Sequence, residues 1–131
     1  MGNFTVSNIA RARIPRAVFS VMKDAIVGKR YDLSVAVVDA RRMRAANFAF
    51  RKKNAVTDVL AFPYSKACGE ILLHVPSIRK NSKKFLLSCT DYQKYVFIHA
   101  LLHLKGHVHG RTMEKLEDTW SVAFSIGKIS R

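Results

Sequence analysis

Residues 92–105, Tyr-Gln-Lys-Tyr-Val-Phe-Ile-His-Ala-Leu-Leu-His-Leu-Lys, are the most apolar stretch of the chain. Thr90 or Asp91 can cap a helix there, and Gly106 can stop it. A helix this apolar has to be buried on most of its sides. Yet four of the five histidines, His99, His103, His107 and His109, crowd into residues 99–109. Any fold must therefore draw this helix into the core and still give its imidazoles partners. Each buried polar group left unsatisfied costs about 1–3 kcal/mol.

One ion would satisfy several of them at once. Histidines four apart on a helix differ by about 40° in azimuth and about 6 Å in rise, so His99 and His103 share a face. On an unbroken helix His109 would fall on the far side. Gly106 can adopt positive φ, end the helix and turn the chain back, so that His109 completes a set of three. Three neutral imidazoles leave one coordination position open, the mark of a catalytic zinc site. The expected ligands are His99, His103 and His109, and zinc is the expected ion, with another divalent metal as the alternative. His107 sits in the turn as a surface or supporting residue, and His74, within Ile71–Val75, reads as a core or strand-surface histidine. Zinc peptidases with two histidines four apart place a Glu directly after the first as general base. Here that residue is Ala100.

The rest of the chain supplies a scaffold. Asn3–Ile9, Tyr31–Val38, Thr57–Phe62 and Gly69–Val75 read as strands, the third stopped by Pro63. Helices are expected from Ile14-Pro15 to Gly28, from an Asp39 cap to about Phe50, over Pro76–Phe85, and from about Met113 to Ile126. The irregular order gives an α+β or three-layer α/β fold, with a mixed four-stranded sheet packed by helices and the metal at the end of the central apolar helix. At 131 residues one domain, 1–131, is expected. Cys68 and Cys89 are too few and too far apart for a disulfide framework, and no apolar run reaches the roughly 20 residues of a membrane span. A cytoplasmic protein without membrane contact follows as the expectation. The 23 Lys and Arg against 9 Asp and Glu leave a net charge of +14, a field that attracts polyanions such as nucleic acid.

Two separated motifs resemble one known family. His99-Ala-Leu-Leu-His103-Leu-Lys-Gly106-His107-Val-His109 is similar to the H-G-x-L-H-L-x-G-[YH]-D-H signature of the YbeY endoribonucleases. Asn47 to Pro63, with Arg51, Thr57-Asp58 and Phe62, resembles the family's N-x-x-Y-R-x-K-D-x-P-T-D-V-L-S-F-P. Gly69-Glu70-Ile71 resembles its G-D-I strand, and Met113 and Glu117 stand where the family tends to place Met and Glu. The resemblance implies a small α+β domain with a metal at one end of a cleft. It implies His99, His103 and His109 as ligands and Arg51 as a functional arginine. It also implies a metal-dependent, single-strand-specific endoribonuclease of 16S rRNA 3′-end maturation, rRNA processing and ribosome quality control, working with ribosomal RNA and the ribosome or its proteins. The chain departs from the pattern at Ala100, Val108, Asn54, Val56 and Ala61. The family's early acidic residue on the metal helix has only Asp91 as a candidate.

In this reading Arg51 steadies charge on the phosphate. Lys52, Lys53, Arg79, Lys80, Lys83 and Lys84 track the RNA backbone, with Arg41, Arg42 and Arg44 extending that surface. Two rivals stay open. One is a non-catalytic rRNA-binding module with a structural metal, favoured by Ala100 and Val108. The other is a zinc metallopeptidase, opposed by Ala100 and the charge.

Overall fold

The computed structural model describes residues 2–128. Alternating burial makes the strands. In β2 (Asp32–Val37) Leu33, Val35 and Val37 point inward while Asp32 and Ser34 face water. β1 (Phe4–Asn8) and β4 (Cys68–Leu73) flank β2 in parallel, and β3 (Val59–Ser65) pairs antiparallel with β4, giving the order β1-β2-β4-β3. The sheet is mixed and four-stranded. Parallel neighbours need a crossover, and α1 (Arg16–Ile26) supplies the one between β1 and β2. The turn Lys66-Ala67 joins β3 to β4.

The two faces of the sheet are covered unequally. On one, Leu33, Val35, Ile71 and Leu73 pack with Phe19, Met22 and Ile26 of α1, Ile78 of α3 (Val75–Lys84) and the length of α4 (Cys89–Leu104). On the other, α2 (Ala40–Arg51) buries Met43 against Val38, Leu60 and Phe62. Helix α4 runs through the larger core, packed against α1, α3, β3 and the last helix, α5 (Arg111–Ala123). Its Phe97 ring stacks on Phe19 with centroids 3.9 Å apart, and both residues are fully buried.

Element order and type follow the sequence expectations; most boundaries shift by one to three residues, and the two shifts at β3 and α4 have a plain physical cause. Strand β3 continues through Pro63 to Ser65. His74 N–H donates to the Asp58 carbonyl, so alternation along the ladder turns the backbone groups of Val59, Ala61 and Pro63 outward. β3 is an edge strand, and a missing N–H on its outer side breaks no bond. Helix α4 starts at Cys89, because Ser88 and not Thr90 or Asp91 is the cap: its Oγ accepts from the Asp91 N–H at 3.0 Å. Helix α5 spans Arg111–Ala123, opening two residues before Met113 and closing three before Ile126. Truncating Phe97→Ala should lower unfolding free energy in urea by about 3–5 kcal/mol through loss of the stacked ring.

Candidate metal centre

The end of α4 builds the site. Gly106 has φ of +105°, and two reversed hydrogen bonds close the helix there: Gly106 N–H to the His103 carbonyl and His107 N–H to the Leu102 carbonyl, both 3.0 Å. This is the glycine-terminated bend that reverses a chain after a helix. It brings His109 back over His99 and His103. The ring centroids of the three lie 4.6 to 5.0 Å apart, and one ligand atom from each falls within 4.8 Å of the others.

Hydrogen bonding on the far side of His99 and His103 fixes what these two rings turn inward. His99 Nδ1 lies 2.5 Å from Glu117 Oε2, and His103 Nδ1 lies 3.0 Å from the His107 carbonyl. Both partners are acceptors, so both Nδ1 atoms carry the proton. In the neutral rings both Nε2 atoms then present lone pairs, and these stand 3.1 Å apart. Two acceptors at that distance repel unless a cation sits between them. Tetrahedral zinc with Zn–N near 2.0–2.1 Å sets ligand nitrogens about 3.3 Å apart. The donor set and its spacing therefore fit a divalent ion. Burial, followed by the neighbouring His99 and His109, holds the His103 ring below the ordinary histidine range and keeps it in the ligating form.

Glu117 is the feature that sequence reasoning left without a role. It lies on α5, is buried, and accepts from Tyr95 Oη at 2.7 Å as well as from His99. A signal was present: Met113, Leu116, Glu117 and Trp120 share a helical face, so a carboxylate sits in an otherwise apolar stripe. Carboxylates that hold the outer nitrogen of a metal-binding histidine fix its tautomer and orientation. A second tyrosine, Tyr92, donates to Asp58 at 3.4 Å. Burial, then Asp58, pushes its hydroxyl far above the ordinary tyrosine value.

The three histidines open into a cleft of about 780 Å³ walled by β3, α4 and the start of α5. Arg51 lines it, as do Asp58, Tyr95, Glu114 and Glu117. Lys52 and Lys53 follow Arg51 on the surface but outside the lining. Arg79, Lys80, Lys83 and Lys84 lie on the exposed side of α3, and the cleft does not include them. His107 lines the cleft and contributes its carbonyl to His103. Val108 is exposed at the mouth. Asp91 stands apart from the cleft and accepts from the Gly127 N–H. His74 is buried before α3, with Nδ1 2.7 Å from Ser77 Oγ.

A sequence profile described as Endoribonuclease YbeY matches residues 3–120. The chain belongs to the YbeY endoribonuclease family. Among its relatives, the Endoribonuclease YbeY of Buchnera aphidicola is 32% identical over 108 residues, covering 73% of this chain and 70% of that protein. The Chelativorans protein of the same name is 28% identical over 140 residues, covering 96% and 86%. Six other YbeY proteins are matched over less than two-thirds of their own length, from 57% to 65%. The solution structure of a Thermotoga maritima protein has a similar fold, with a TM-score of 0.64 at 21% identity over 93% of this chain and 89% of that one. No helix among the described residues is long and apolar enough to cross a membrane.

His103→Ala should reduce bound metal from one equivalent to none by elemental analysis after dialysis against zinc. Glu117→Gln should keep the fold and weaken zinc affinity about tenfold in a chelator competition. In the metal-free chain, burial depresses both His74 and His103. Rings with folded values below the unfolded value of about 6.5 gain protons on unfolding, so their stabilisation is present above that pH and fades as pH falls below it. The urea midpoint of chelated protein should drop between pH 7.5 and pH 5.5, and a rise would contradict the assignment.

Proposed function

We propose that this chain is a metal-dependent, single-strand-specific endoribonuclease, with zinc held by His99, His103 and His109. The observation that carries the reading is the pair of inward-facing Nε2 atoms 3.1 Å apart, opening onto a cleft that Arg51 also lines. When bound, the ion supplies Lewis acidity toward a phosphate oxygen and acidifies water.

The protein's own groups do the rest. His99 is kept in its ligating tautomer by Glu117, and His103 by the His107 carbonyl. Arg51, on the last turn of α2, offers a planar donor fork for the phosphate undergoing attack, where it stabilises the added negative charge. Ala100 offers no carboxylate on the metal helix, so any proton acceptor comes from another wall of the cleft, where Asp58 and Glu114 stand. Lys52 and Lys53 extend the positive surface beyond Arg51. Arg79, Lys80, Lys83 and Lys84 form a separate basic face on α3 for more distant phosphates.

Family membership and the charge of +14 support ribosomal RNA as the substrate. The finer reading is processing of rRNA, including the 16S 3′ end, and ribosome quality control in the cytoplasm, in contact with the ribosome or its proteins. A non-catalytic rRNA-binding module is the rival, favoured by Val108 and Ala100. The three-ligand set counts against it, since structural zinc sites are closed by four protein ligands.

Arg51→Glu should leave metal content at wild-type level and lower the rate of single-stranded RNA cleavage at least about a hundredfold, the scale of losing one charge-stabilising donor. A gel-based assay with a chelator control reads this directly. Full cleavage by the variant would remove Arg51 from the mechanism. A wild-type protein that binds rRNA but never cuts it would select the non-catalytic module.

A further inference from the structure

The last turn of α2 leaves two large rings mostly in water. Phe48 is 54% exposed and Phe50 64% exposed. At about 100° per residue, Arg51 projects between them, about 60° from Phe48 on one side and about 100° from Phe50 on the other. Arg51 is also the α2 residue that lines the metal cleft. The two rings therefore bracket the one side chain of this helix that reaches the site.

We propose that Phe48 and Phe50 are stacking platforms for the nucleobases on either side of the phosphate engaged by Arg51, in single-stranded RNA drawn into the cleft. The choice of RNA rests on the endoribonuclease reading above. Three further observations support the proposal. The Phe50 ring lies against buried Phe62, with centroids 4.3 Å apart and planes 44° apart, so it is held in place before any base arrives. Helix α2 has no acidic residue, and Arg44 lies one turn before Phe48 on the same flank, so the surface around the rings is positive. Lys52 ends the helix in the left-handed region, φ 56°, and Lys53 follows it on the surface, placing two more cations beside the platform. Alternating rings and cations match the alternating bases and phosphates of a single strand. In a duplex the base faces are already stacked on one another, so the same surface discriminates against double-stranded RNA.

The test compares the zinc-loaded wild-type chain with Phe48→Ala/Phe50→Ala and Phe48→Trp/Phe50→Trp, all checked for equal metal content and thermal midpoint. Binding is read by fluorescence anisotropy on a labelled single-stranded RNA and on an abasic sugar-phosphate oligomer of the same length, with each probe confirmed intact by gel afterwards. The alanine pair should lose at least about tenfold in affinity for the RNA, and should bind the abasic oligomer like wild type with the same salt dependence. The tryptophan pair should retain RNA affinity. Unchanged RNA binding by the alanine pair overturns the platform and leaves the nuclease reading standing. Equal losses on both probes overturn it as well, because the rings would then serve the backbone or the fold. Self-association that the alanine pair abolishes while RNA binding persists overturns it in favour of a second copy of the chain. A wild-type protein that binds neither probe brings down the RNA reading itself.

Discussion

Two imidazole nitrogens 3.1 Å apart, each with its lone pair turned toward the other, are the arrangement around which this small domain is organised. Left alone, such a pair repels, and either ring could relax by turning away or taking up a proton. The surroundings hold both rings in place and keep His103 from charging. A buried carboxylate and a backbone carbonyl pin the outer nitrogens, and burial disfavours the charged form of His103. The protein holds its ligands in the geometry that a cation would otherwise have to impose, so little reorganisation is needed when the ion arrives.

That preorganisation is delivered by packing. Helix α4 is gripped by α1, α3, α5 and β3, and its buried residues, including Phe97, Ile98, Leu101 and Leu102, set the azimuth at which His99 and His103 emerge. Helix α5 returns Glu117 to the same place from a different part of the chain. The core and the site are thus not separable: a shift of α4 against α1 would move the rings as surely as a change in the rings themselves.

Much of this was written plainly in the sequence. The apolar run, the four-residue spacing of His99 and His103, and Gly106 together dictate a buried helix that bends at its end, and the bend at φ +105° follows from glycine alone. The alternation of Leu33, Val35 and Val37 dictates a half-buried strand. What was hidden depended on neighbours distant in the chain. Pro63 looks like a strand terminator until β3 is known to be an edge, where its missing N–H costs nothing. Thr90 and Asp91 are the caps that the apolar run suggests, and only the bond from Asp91 N–H to Ser88 moves the start of the helix forward. Glu117 acquires meaning only once α5 folds across α4. Periodicity put it on an apolar face but could not say which ring it would meet. The basic residues of α3 are a similar case: charge marks them as a surface, and only the fold shows that they lie outside the lining of the cleft.

The position of the ligands along the chain has a consequence for how the protein comes into being. Every strand of the sheet lies before residue 74, whereas the three rings and Glu117 all fall within residues 99–117. A polypeptide made from its N-terminus at about 5–20 residues per second delivers the whole sheet some seconds before His99, the first of the three rings, is added. The three rings and the carboxylate that holds one of them are therefore added only after the sheet is complete, and the set is not closed until α5 has been made.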